Sequence, residues 1–130
     1  MVAYSFQAQF IVPICAKTKQ FTLRGIEAMV PALGESIDLY YAINSPFKRL
    51  LGTSTYLGCL SLRLNFKDNE IFGGYDFTDF LPDLNTFAIG AGHSSWFALA
   101  EFYSDRAETN KYLSRYLIYW GDTFTPPAKS

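Results

Sequence analysis

Lys17-Thr18-Lys19-Gln20-Phe21-Thr22-Leu23-Arg24 sets three cations and two hydroxyls within eight positions of a chain in which only 18% of residues are charged. From Gln20 the run alternates, so Phe21 and Leu23 point to one face of a strand while Gln20, Thr22 and Arg24 point to the other. Strict alternation would put Lys19 with the apolar pair. Lys19 joins Thr22 and Arg24 only if it lies in the turn before the strand. Two readings stay open. In one, an amine, a hydroxyl and a guanidinium converge on an anionic or carbonyl-bearing ligand. In the other, this is an amphipathic edge strand whose cations are solvated. The run lies between an apolar opening, residues 2–15, and a turn-rich connection, residues 25–34, which is where a site at the mouth of a core is expected.

Outward from this run the chain is mostly period-two. Tyr4, Phe6, Ala8 and Phe10 alternate with Ser5, Gln7 and Gln9, which predicts a half-buried strand over residues 4–10. Residues 11–16 suit one helical turn, with Pro13 early in it. Ile37, Leu39 and Tyr41 alternate with polar neighbours as a third strand. Asn44-Ser45-Pro46 is turn chemistry, and residues 47–55 read as a fourth strand, with Gly52 at a bulge or a close backbone approach. Leu60, Leu62, Leu64 and Phe66 form the clearest alternation, and Asp68-Asn69 closes a hairpin into Glu70-Ile71-Phe72 before Gly73-Gly74. The period then changes. Phe80, Leu81, Leu84, Phe87 and Ala88 follow helical spacing, with Pro82 in the first turn and Gly90 past the end. Ser94 or Ser95 caps a second helix whose face is Trp96, Leu99, Ala100 and Tyr103. A polar connection, residues 105–110, leads to an apolar closing strand, residues 113–120. The sum predicts an α+β fold: one mixed, curved sheet closing into a small β-barrel with short flanking helices. One domain covers residues 1–122, and residues 123–130, with Pro126-Pro127, read as a flexible tail.

The 130 residues suit a single core, and 49% hydrophobic and 18% aromatic content is too apolar for a disordered chain. No apolar run approaches the roughly 20 residues of a membrane span. The opening lacks the cationic start and long apolar stretch of a secretion signal, so the expected location is the cytoplasm, away from membranes. The net charge is −1 and the pI about 5.7. A nucleic-acid role then needs a local basic patch, for which Lys17, Lys19, Arg24, Lys48 and Arg49 are available. Tyr40, Tyr41, Phe47 and Tyr56 either pack in the core or include an exposed pair that stacks bases. Cys15 and Cys59 are expected as free, buried thiols. A zinc site would have to draw Cys15, Cys59, His93 and a carboxylate from distant segments, so no metal and no cofactor is expected. Gly90-Ala91-Gly92-His93-Ser94-Ser95 lacks the residues of a phosphate loop and reads as a helix–helix turn, with His93 a turn or capping residue.

The run from Lys17 to Arg24 resembles the G-x-K-x-x-T-x-R signature of ASCH domains, relatives of the PUA RNA-binding fold. Met1-Val2-Ala3-Tyr4-Ser5-Phe6, Pro13-Ile14, Leu39-Tyr40, Leu51-Gly52-Thr53, Ser95-Trp96 and Trp120-Gly121 are similar, in the same order, to small phage and prophage ASCH-like proteins. The resemblance covers roughly residues 1–121 and implies a PUA-like barrel that binds RNA or a modified nucleoside. Lys17, Lys19, Thr22, Arg24, Tyr40 and Arg49 are the candidate ligand-binding residues. In the branch resembling acetylcytidine amidohydrolases, the lysine and threonine of the motif act with a glutamate from a later strand. Lys19 and Thr22 match the first two, but Leu51 falls where the glutamate would stand, which argues against that activity. RNA cleavage, linked to other ASCH proteins, is the other catalytic alternative for Lys19 and Thr22. Ile26, Glu27, Ala28, Met29 and Val30 occupy a loop expected to be rich in cations. That departure raises a different class of function, a module contacting a host protein, unless the loop folds back on the core.

Overall fold

The computed structural model describes residues 2–25, 31–72, 83–103 and 112–127. Its elements follow in the order β1 (Val2–Phe6), α1 (Ile11–Cys15), β2 (Phe21–Arg24), β3 (Ser36–Tyr41), β4 (Arg49–Thr55), β5 (Gly58–Asn65), β6 (Glu70–Phe72), α2 (Leu84–Gly90), α3 (Trp96–Phe102) and β7 (Tyr112–Tyr119). The fold is α+β, with two sheets of order β1-β3-β4 and β2-β7-β5-β6. β1 lies parallel to β3, and the other pairings are antiparallel. A parallel pair needs a long crossover, which α1 and β2 supply.

Side-chain alternation makes the four-stranded sheet a middle layer. Phe21, Leu23, Leu62, Leu64, Leu113 and Leu117 point to one face, where Phe87, Ala88, Trp96 and Leu99 of α2 and α3 cover them. Ile118 and Trp120 point to the other face, into a second core with Val2, Tyr4, Phe6, Ile14, Ile37 and Leu39. β7 is therefore apolar on both faces because both are covered. Asp83 and Ser95 start the two helices by accepting the N–H groups of Thr86 and Ala98 at 2.7 and 3.2 Å. Residues 80–82 lie outside the described region, as do the loop at 26–30, Gly73-Gly74 and the polar connection at 105–110.

Several expectations change. The first strand stops at Phe6, and Ala8–Phe10 forms a 3-10 turn. Phe6 and Phe10 belong to the same core, and on one strand they would stand about 13 Å apart. The turn brings their rings to 6.3 Å. Among the described residues the strands form no single closed barrel. The sheets join on one side through Leu57, whose N–H donates to the Tyr119 carbonyl at 2.8 Å. Between β1 and β2 there is instead a seam, crossed by Arg24, whose Nη2 donates to the Ser5 carbonyl at 2.9 Å. Gly90 falls inside α2, since the helical bonding continues to the Ala91 N–H on the Phe87 carbonyl at 3.0 Å, and the Phe21 ring packs so close there that a Cβ would sit 2.6 Å from it. Cys15 is exposed and Cys59 half-buried, both free. Gly52 is both a bulge position and a close approach: the register shifts beside it, and a Cβ there would lie 2.3 Å from the Thr125 carbonyl. Residues 123–125 are correspondingly tied down. Thr53 and Thr125 exchange backbone hydrogen bonds at 2.9 and 2.7 Å, and Phe124 is 4% exposed.

Candidate functional site

The turn before β2 is built on Lys17, which takes a positive φ of 64°. The Thr18 and Lys19 N–H groups both reach the Pro13 carbonyl at 3.0 Å, tying the turn to α1. Its far side receives the end of α2. Gln20, Ala91, Gly92 and His93 donate their N–H groups to the carbonyls of Gly90, Phe87, Ile89 and Ala88 at 2.7–3.0 Å. The helix end is thus satisfied, and its continuation is held against Lys19.

Lys19 leaves the alternation of β2 and turns to the side of Thr22 and Arg24, as the geometry of the motif requires. Its side chain is buried, at 3% exposure. Nζ donates to the Phe21 carbonyl at 2.9 Å and to the Ala91 carbonyl, and it lies 4.7 Å from the centre of the Phe10 ring. Burial first, and the Arg24 charge second, push the Lys19 amine well below its usual value. Both hydrogen bonds go to backbone carbonyls, so the amine is committed to the frame of the cleft. Gly92 makes this packing possible: its φ is +98°, and a Cβ would lie 2.7 Å from the Phe10 ring and 2.8 Å from the Lys19 chain.

Arg24 crosses the seam over the faces of Tyr4 and Phe6, at 5.1 and 4.9 Å from their ring centres. Nε donates to the Thr22 hydroxyl at 3.3 Å and Nη2 to Ser5. Burial lowers its pKa, against the pull of Tyr103 and Tyr4, yet a guanidinium stays charged. Among the described residues Nη1 has no partner. Lys19, Thr22 and Arg24 line one cleft of about 150 Å³ with Gln7, His93 and Tyr103. The described lining contains no carboxylate.

His93 is the member that sequence reasoning assigned elsewhere. Its ring stands 5.3 Å from Phe10 and 5.0 Å from Phe102. Burial, then the neighbouring Lys19, hold its pKa down at about 4, so at neutral pH it offers one donor and one acceptor nitrogen. The signal available in the sequence was the Gly92-His93 pair after a helix: a glycine that lets backbone approach closely, followed by a titratable ring.

The other candidates are not brought to this cleft. Lys17 is exposed and lines a separate cavity. Tyr40 is half-buried on β3 with the Lys48 amine 4.9 Å from its ring centre, and Arg49 is exposed at the start of β4. Neither lines the cleft, so the cations do not form one patch there. Leu51, 2% exposed, belongs to the core between the sheets. Among the described residues no cluster of His, Cys, Asp or Glu is suited to a metal, and no helix is long and apolar enough to cross a membrane. No family model, curated protein or solved structure matches the chain.

Proposed function

We propose that the protein is an ASCH-like binding domain that takes a single nucleobase, free as a nucleoside or within single-stranded RNA, into the cleft at Lys19, Thr22 and Arg24. The observation that carries this is the convergence of these three side chains with His93 on one seam between the sheets. Size supports a base rather than a whole nucleotide: about 150 Å³ is well under the roughly 300 Å³ at which ligand pockets usually begin. Charge supports a neutral ring rather than a phosphate, because the Lys19 amine is already engaged by the Phe21 and Ala91 carbonyls and leaves Arg24 as the cation that meets a ligand. Arg24 donates to a ring carbonyl, and Thr22 and His93 each donate or accept. The two sheets would be the halves of a PUA-like barrel opened at this seam. Binding is preferred to hydrolysis because Leu51 fills the core position corresponding to the family's glutamate.

The test is a gel shift with short single-stranded RNA, paired with NMR titration of free nucleosides. Arg24→Met and His93→Gln should each weaken binding about tenfold or more, the loss of a hydrogen bond involving a charged or fully desolvated group. Ribose phosphate alone should not bind. Folded variants that hold RNA as well as the unaltered protein would remove the proposal. Lys19 is a poor first choice for substitution, since its amine also fastens α2 to β2.

A further inference from the structure

We infer that a second cavity, formed where β5, β7 and α2 meet the turn at Lys17, binds a small anionic amphiphile: a carboxylate on a medium-length alkyl chain. The cavity holds about 630 Å³, inside the roughly 300–1,000 Å³ range of ligand sites and several times larger than the cleft. Leu60 and Leu117 line it from the sheet, together with Ile89 of α2 and Leu57. Ile89 and Leu57 remain 45% and 44% exposed, which leaves apolar surface that an alkyl chain would cover. Polar groups come from Lys17, Thr18 and Gln20 of the turn, Thr86 of α2, and Cys59 and Tyr119 of the strands; among the described lining residues Lys17 is the one cation and none is acidic. The nearby end of α2 does not oppose an anion, since its final carbonyls already accept backbone N–H groups. A largely apolar lining with one exposed ammonium in it is complementary to a chain with one negative head. A neutral apolar ligand would leave Lys17 unused, and a cationic one would be repelled.

The site is independent of the cleft, and the experiment separates the two. Decanoate, decanol and decylammonium are each titrated into the full chain, followed by amide NMR. Decanoate should shift Gly58, Ile89 and Leu117 and leave Thr22, Arg24 and His93 in place. Decanol should bind about tenfold more weakly, reflecting the lost charge-assisted contact. Lys17→Gly is a clean variant, because glycine adopts the positive φ of this position without strain. It should bring decanoate to the affinity of decanol and leave decanol unchanged. Ile89→Asp, at a half-exposed helix position, should remove decanoate binding by placing a carboxylate in the wall. Equal affinities of the unaltered protein for decanoate and decanol, shifts centred on the cleft, or no shifts at all would each overturn the inference.

Discussion

His93 gives the cleft a measurable acid signature. Its folded pKa of about 4 lies below the ordinary 6.5, because burial and Lys19 disfavour the imidazolium. As pH falls from 6.5 towards 4 the unfolded chain takes up this proton and the folded chain does not. Stability present above pH 6.5 is therefore lost across that window, and the loss levels off below pH 4. At about 1.4 kcal/mol for each pH unit the whole interval is worth about 3 kcal/mol. The ring is only partly buried, so solvent screening reduces this to about 1 to 2 kcal/mol. Urea unfolding of the unaltered protein and of His93→Gln, each at pH 7 and pH 4, isolates the effect. Glutamine does not titrate, and the other ionisable groups are common to both chains and cancel to first order. The difference in stability should move by about 1 to 2 kcal/mol against the histidine form between the two pH values. A difference that stays constant, or an NMR titration of His93 centred near 6.5, would refute the placement of this ring against Phe10 and Lys19.

Two substitutions test the frame around the cleft. Gly92→Ala forces an L residue into a φ of +98° and drives its Cβ into Phe10 and Lys19. It should cost about 2 to 5 kcal/mol by chemical denaturation, from backbone strain and overpacking together, and a cost below about 0.5 kcal/mol would mean the helix end does not approach the turn this closely. Phe124→Ala should cost about 3 to 5 kcal/mol, as for a buried phenylalanine, whereas a frayed tail would register within about 0.5 kcal/mol.

What could be read from the residues was whatever alternation and capping encode locally. The strand around Leu60, Leu62 and Leu64, the serine cap of α3, and the need for Lys19 to leave the strand all follow from periods and φ preferences. Pairing between distant segments was not legible. Nothing in residues 4–10 announces that Phe10 must fold back beside Phe6, since the competing alternation is perfect until the core is known. The place of residues 123–125 was hidden for the same reason: Pro126-Pro127 looks like an ending, but just before it Phe124 and the Thr125 carbonyl pack on Gly52, more than seventy residues away, whose missing side chain admits them. His93 joins the site by the same route. A glycine at position 92 has no local signature distinguishing a turn from a close approach, and only the docking of α2 onto β2 sets it against Phe10 and Lys19 beside the cleft. Arg49, a cation like Arg24, and the aromatic Tyr40 stand on strands that do not bring them to this cleft. Lys19 shows how far the chemistry changes once the fold is known. By sequence it is one more cation in a basic run. Enclosed by two carbonyls and two phenyl rings, its amine is used up in the frame of the cleft while burial lowers its pKa, and the ligand implied shifts from a phosphate to an uncharged ring.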